Sequence, residues 1–160
     1  ERNRGFELSW HHGGQSHVMD IAAMKIRRKH HILVFPVNAY RFWDTSAAFG
    51  AAEAAHGIHA GAAETSIMLS AAPDRVRRDA IAAHLSLSQH MEKNYRHLRP
   101  YGRTGSFAWQ MQDLSATGAV GDATLATAEA GAALIDEAGQ GIGELFADIL
   151  DLPSDEILTP

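Results

Sequence analysis

The first third of the chain alternates a strand-like stretch, an amphipathic segment and a continuous apolar run, and this order most constrains the fold. The stretch GFELSW (5–10) has the pattern of a short strand, and apolar residues then recur at helical spacing from Val18 to Ile26. The run ILVFPV (32–37) is typical of a strand buried on both faces. Strand, helix and strand within residues 5–37 make a βαβ unit, which predicts a parallel sheet with a right-handed crossover.

Composition narrows the class of protein. The 160 residues suffice for one domain with a real core, and 46% of them are hydrophobic and 21% charged. A formal net charge of -5 argues against nucleic acid or an anionic membrane as a partner. The absence of cysteine excludes a disulfide framework and any thiolate site. With no apolar run near the ~20 residues of a membrane span, we expect a single cytoplasmic domain over residues 1–160.

Two distinctive stretches follow the two predicted strands. HHGGQSH (11–17) comes after the first strand and YRFWD (40–44) after the second. Ligands of open α/β sheets bind at the carboxyl ends of the strands, so both stretches should lie at one rim. Imidazole binds metals and moves protons near neutral pH, and a glycine pair allows close approach. The pattern alone leaves a metal site, a phosphate loop and a polar turn open.

A second block, HAGAAETS (59–66), opens a predicted helix that Pro73 ends. His59 stands just before this helix and Glu64 in its second turn, so both can point towards the positive end of the helix, which favours a carboxylate or a bound anion. Such a pair could bind metal or move protons. A structural hydrogen bond between the two side chains is the competing interpretation.

Further along, the pattern is less distinctive. Residues 84–100 indicate a polar helical face, and SFAWQMQDLS (106–115) alternates as a strand would. Asp122 is a plausible N-cap for a long amphipathic helix that continues to Ile149. Glycines inside that helix suggest close packing or a break; they are Gly139, Gly141 and Gly143.

Four blocks, in this order, resemble the creatininase (creatinine amidohydrolase) family. HHGGQ (11–15) is similar to the family's Asn-Gly-His-Gly-Gly-Asn turn, with His12 at the position of its histidine. FWD (42–44) resembles the aromatic-Trp-Asp stretch of the family. HAGAAETSIMLSAAPDRV (59–76) resembles the family's His-Ala-Gly-x-x-Glu-Thr-Ser block, and ATGAVGDATLATAEAG (116–131) its Gly-x-x-Gly-Asp block.

The resemblance implies a fold and an activity. The family fold is a three-layer α/β/α sandwich around a mostly parallel sheet. Its activity is metal-dependent hydrolysis of amide bonds, often cyclic or formyl amides, so the expected cofactor is a divalent metal, zinc first, with manganese or iron as alternatives. The expected partner is a small-molecule amide substrate.

The resemblance also assigns roles to residues. His12 would be a metal ligand, and His59 would handle the proton near the scissile amide. Glu64 would be a further metal ligand or the group that orients His59. Trp43 would line the substrate pocket, and the substrate-binding positions also include Gly13 and Gly14.

Departures from the family pattern refine these expectations. The family's N-terminal Glu-x-His-Gly-x-His-Leu-Pro motif, which supplies most metal ligands, has no counterpart here. We therefore expect the C-terminal portion of the family domain, completed by an N-terminal segment or a companion chain, and a homo-oligomer. Creatinine itself is disfavoured, because members that hydrolyse it carry Tyr-Glu where Gly13-Gly14 stand and a Trp where Ala55 stands. The alternative is a non-catalytic α/β binding or assembly subunit that retains the fold.

Overall fold

The structure is a computed structural model that describes residues 5–10, 13–102, 104–153 and 157. It is a mixed α/β chain that divides into two compact units. One unit runs to Trp43 and resumes at Asp136, and the other covers Asp44–Ile135. Among the helices of the described ranges, none has the length and apolar character needed to cross a membrane.

The first unit contains the strand–helix–strand arrangement that the sequence predicts. Strand β1 (Gly5–Trp10), helix α1 (Ser16–His30) and strand β2 (Leu33–Asn38) follow in that order. The two strands pair in parallel, in unbroken register along their whole length. The carboxyl ends of β1 and β2 therefore lie at the same edge of the sheet.

The termination of α1 has a local cause. His31 adopts the left-handed conformation, with φ of 51°, and its N–H donates to the carbonyl of Arg27 at 3.0 Å. Cationic side chains occupy the last turn of the helix, where they interact favourably with its dipole. The chain thus reverses and enters β2 two residues later.

Burial in this unit differs from the predicted pattern. In β2, Leu33 and Val37 are buried but Pro36 is exposed, so the expectation of a strand buried on both faces is only partly met. Proline has no N–H to donate and belongs to strand edges. On α1 the buried residue is Ala23, whereas Val18 and Ile21 are 66% and 56% exposed.

The second unit is built mainly from short helices, with a small antiparallel sheet. Its elements in chain order are α2 (Thr45–Phe49), α3 (Ala51–His56), α4 (Ala62–Ala71), β3 (Ala83–His84), α5 (Leu87–Asn94), α6 (Met111–Leu114), β4 (Gly121–Asp122) and the first part of α7 (Ala128–Asp151). Strands β3 and β4 pair with each other. Ala62, Ser66, Val120 and Leu134 are the most buried side chains of this unit.

Three downstream predictions are corrected by the structure. The stretch 106–115 is not a strand: Gln110 and Asp113 form a capping box that starts α6, and this local hydrogen bonding overrides the alternating pattern. Asp122 caps a short 3₁₀ turn at Ala123–Leu125 rather than the long helix. The helical segment predicted over 84–100 is limited to α5.

The long helix does not break at its glycines. It runs continuously through Gly139, Gly141 and Gly143. A Cβ at Gly141 would collide with the ring of Phe42, so this glycine permits close packing in the first unit. Of the two explanations for the glycines, close packing is the one that the structure supports at this position.

The fold class is α/β, as expected, but the described residues do not show the expected layers. Their strands form two sheets of two strands each, one parallel and one antiparallel. The three-layer sandwich with a mostly parallel sheet therefore stays a prediction.

Candidate active site

The loop that joins α3 to α4 carries His59. The N–H groups of Ile58 and His59 donate to the carbonyl of Val120 at 3.0 and 3.1 Å, and the Val120 N–H donates back to the His59 carbonyl at 2.7 Å. Val120 is fully buried. The backbone of His59 is thus fixed to the core of the second unit, while its side chain stays 45% exposed.

Glu64 approaches His59 from the first turn of α4. Its Oε2 accepts a hydrogen bond from the Ala60 N–H at 2.6 Å and lies 3.5 Å from His59 Nδ1. Ala60 has a φ of 52°, a left-handed conformation that is unfavourable for a residue with a Cβ. The hydrogen bond from its N–H to Glu64 offsets that cost and sets the direction of the loop. The structure therefore brings together the two residues of the HAGAAETS block that were singled out for chemistry.

Glu53 on α3 places a second carboxylate at this loop, and it is not among the residues predicted from the sequence. The residue is only 8% exposed. Its Oε1 accepts from the Ala62 N–H and its Oε2 from the Asp122 N–H, both at 2.7 Å. The available signal was a single acidic residue in an otherwise Ala-rich stretch, close before several glycines.

A cleft of about 390 Å³ opens beside the same loop. Ala60 and Thr65, both from the HAGAAETS block, contribute to its lining. Arg77 and His84 supply nitrogen groups, and most of the remaining lining is apolar. Apolar walls with a few converging polar groups are typical of small-molecule sites.

The first unit holds the other predicted site residues. Gly13 and Gly14 form a 3₁₀ turn shortly after β1, and Trp43 follows a 3₁₀ turn that comes directly after β2. The turn with Gly13 and Gly14 and the residue Trp43 therefore each follow the carboxyl end of a parallel strand. His12 lies outside the described residues.

Two buried donors stand out near the end of β2. Within the described part of the chain, Trp43 Nε1 and Asn38 Nδ2 have no hydrogen-bond partner. Buried polar groups are nearly always paired, so such donors are candidates for contact with a ligand or with another part of the protein.

The described residues do not make a complete metal site by themselves. They contain no group of three or more His, Cys, Asp or Glu side chains arranged to hold an ion. His59 and Glu64 offer two donors, whereas protein zinc sites use three or four protein ligands. A metal ion bound by His59 and Glu64 would need at least one further protein ligand.

A second polar cluster connects α3 to α5. His56 contacts the Ser88 hydroxyl through Nδ1 at 2.9 Å and Glu92 through Nε2 at 3.0 Å. Tyr101 donates its hydroxyl proton to Ser88 at 3.0 Å, and burial raises the pKa of the Tyr101 phenol. Ser88 is 2% exposed, which keeps it from substrate despite the resemblance of this trio to a hydrolase triad. The cluster is structural.

Comparisons with known proteins agree with the blocks identified in the sequence. The family model for creatininase, described as creatinine amidohydrolase, matches residues 7–146. A solved structure from Bacteroides fragilis NCTC 9343, of a protein provisionally named a creatinine amidohydrolase, has a similar fold, with a TM-score of 0.69 at 18% identity. The match covers 91% of this chain and 54% of that one, so the chain spans about half the length of this relative. No curated protein matches the chain.

Proposed function

The chain belongs to the creatininase family, and from this premise we propose that it is a metal-dependent amidohydrolase that cleaves a cyclic amide or formamide-type C–N bond. The observation that carries the proposal is the His59–Glu64 pair, 3.5 Å apart, with His59 on a loop anchored to the buried core and Glu64 at the start of α4. A histidine oriented by a carboxylate is suited to moving a proton in amide hydrolysis.

His59 is proposed to carry a proton to the leaving nitrogen. Its Nδ1 faces Glu64, so Nε2 is the ring nitrogen available to the substrate. In the reaction a water oxygen bonds to the amide carbonyl carbon, the C–N bond breaks, and a proton from that water reaches the departing nitrogen. The products are a carboxylic acid and an amine. Proton transfer by a positioned side chain contributes on the order of 10²–10⁴ in rate.

Glu64 is proposed to orient His59. Its Oε2 already contacts both the Ala60 N–H and the His59 ring. This contact supports the orienting role over the second candidate role, in which Glu64 is a metal ligand.

We further propose that His12, with Glu64 as the weaker candidate, contributes to binding a divalent metal, zinc before manganese or iron. The remaining ligands would come from an N-terminal segment or a companion chain. His59 and Glu64 offer two donors, whereas protein zinc sites use three or four protein ligands. The exposed apolar side chains of α1, namely Val18, Ile21 and Met24, offer a surface for a companion or for a second copy in a homo-oligomer.

The proposed substrate binds in the cleft beside Ala60 and Thr65. Aliphatic side chains in the cleft lining suit the body of a small amide, and Arg77 suits a carboxylate on that molecule. Trp43, Gly13 and Gly14 of the first unit stay proposed as substrate-binding residues, and the unpaired indole N–H of Trp43 supports this role. Creatinine stays disfavoured because Gly13-Gly14 replace the Tyr-Glu of creatinine-hydrolysing members.

The test is hydrolysis of a panel of cyclic amides and formamides by the purified protein. The panel is run after chelation and after separate addition of zinc, manganese and iron(II). We expect turnover that chelation abolishes and one metal restores, and we expect His12→Ala to lose bound metal. A protein that binds no metal and hydrolyses no amide would contradict the proposal and favour the non-catalytic binding or assembly subunit.

A further inference from the structure

The Glu53 carboxylate is held at the loop that carries His59, although Glu53 is not among the described residues that line the cleft. It is buried, and it accepts hydrogen bonds from two backbone N–H groups that are far apart in sequence, those of Ala62 and Asp122. We propose that Glu53 is a positioning residue that sets the place of His59. The proposal rests on the proposed function for its catalytic consequence, but not for its geometric content.

The first hydrogen bond acts on the start of α4. The Ala62 N–H is among the first N–H groups of this helix, which have no partner inside it. The residue before it, Gly61, has no side chain that could cap the helix. Glu53 supplies the acceptor instead, and its negative charge is favourable at the positive end of the helix. This contact fixes the chain just after His59.

The second hydrogen bond acts on the neighbouring strand. The Asp122 N–H belongs to β4, next to Val120, and the Val120 backbone pairs with His59. One carboxylate therefore ties together α3, the start of α4 and β4, the strand that begins directly after Val120, the backbone partner of His59. A shift of Glu53 would release the loop from both sides.

Three glycines make room for this carboxylate. A Cβ placed on Gly57, Gly61 or Gly121 would come within 3.0 Å of Glu53 Oε1, closer than real Cβ atoms come to other heavy atoms. Gly57 and Gly61 lie two residues before and two residues after His59. The close approach of these glycines to one carboxylate leaves little freedom for the segment between them.

The test compares Glu53→Gln with the wild-type full chain by NMR and by kinetics. Gln has the same size but turns an N–H₂ towards one of the two backbone donors, so exchange of the Ala62 or Asp122 amide hydrogen should rise roughly tenfold to hundredfold. The Gly57 amide is an internal control, because it donates to the main-chain carbonyl of Glu53. Glu129→Gln, at an exposed position, is the matched control variant.

Two measurements test whether Glu53 positions His59. The imidazole proton signals of His59 should move in Glu53→Gln, while those of the exposed His90 stay in place. Where the wild type hydrolyses an amide, kcat should fall on the order of tenfold to hundredfold with KM and bound metal unchanged, as expected for a small misplacement of a reacting group.

The outcomes separate this proposal from the proposed function. A wild type without amide turnover would contradict the function, and the exchange and imidazole signals would still decide the role of Glu53. Unchanged Ala62 and Asp122 amides, or an unmoved His59 signal, would overturn the positioning role. Should Glu53→Gln fail to fold, Glu53→Asp carries the same comparison; failure of both variants would also overturn it, because Glu53 would then be a core residue only.

Discussion

Substitution of Gly131 by alanine tests the packing that holds α4, the helix that carries Glu64. Gly131 is buried on α7, and a Cβ there would lie 2.8 Å from the Ile67 nitrogen and closer still to the Ser66 carbonyl. The Ser66 hydroxyl also accepts a hydrogen bond from the Thr127 N–H at 3.1 Å, so the two helices are joined at this point. The added methyl group would meet backbone atoms, which cannot move aside by changing rotamer.

The change in the free energy of unfolding of Gly131→Ala is the sum of an overpacking cost and a gain in helix propensity. Overpacking of this kind costs about 1–3 kcal/mol, and contact with backbone places Gly131→Ala at the upper end. Alanine is favoured over glycine in a helix by about 1 kcal/mol. We therefore expect the free energy of unfolding to fall by roughly 2 kcal/mol in Gly131→Ala.

The control is Gly143→Ala on the same helix. Gly143 is exposed, and a Cβ there would meet no described atom within 4 Å. Gly143→Ala therefore gains only the higher helix propensity of alanine, so its free energy of unfolding should rise by about 1 kcal/mol. Urea unfolding of the three proteins measures both changes. Equal effects of the two substitutions would refute the close contact between α7 and the backbone of α4.

Three further predictions concern single residues. Ala60→Gly should raise the free energy of unfolding by about 0.5–1 kcal/mol, because relief of the left-handed conformation exceeds the entropy cost of glycine; a loss above ~1 kcal/mol in urea unfolding would contradict the assigned backbone. Because burial raises the pKa of Tyr101 above its ordinary value of 10.0, the stability that this group contributes is present below pH 10.0 and is lost as the pH rises through the raised pKa. Tyr101→Phe should therefore lessen the fall in unfolding free energy at alkaline pH, and an unchanged slope would contradict the assignment. Arg77→Gln should raise KM for amides that bear a carboxylate and leave KM for neutral amides unchanged; equal effects on both would exclude Arg77 from carboxylate recognition.

The sequence predicts the parts of this fold whose causes are local. The strand–helix–strand order over residues 5–37 follows from hydrophobic periodicity, and the structure shows the same elements with parallel pairing. Alternation over 106–115 failed as a signal because the capping box of Gln110 and Asp113 satisfies backbone groups in a helical turn. The sequence pattern does not show whether such hydrogen bonds stabilise a helical turn more than side-chain alternation stabilises a strand.

The residues of the candidate site also differ in whether the sequence predicts them. His59 and Glu64 are close in sequence, and the helix start between them makes their meeting predictable. Glu53 could not be found by pattern, because its partners lie at Ala62 and Asp122, and only the folded chain brings them together. The left-handed conformation of Ala60 could not be predicted from the sequence either, because alanine rarely adopts it.

The most direct test of the central claim is the turnover of His59→Ala at matched metal content. The claim is that His59 moves a proton to the leaving nitrogen and does not hold the metal. The measurement is kcat on the best amide substrate, taken alongside metal analysis of the same preparations. We expect kcat of His59→Ala to be lower by roughly 10²–10⁴, with metal content close to wild type. An unchanged kcat, or a loss of metal as large as that of His12→Ala, would contradict it.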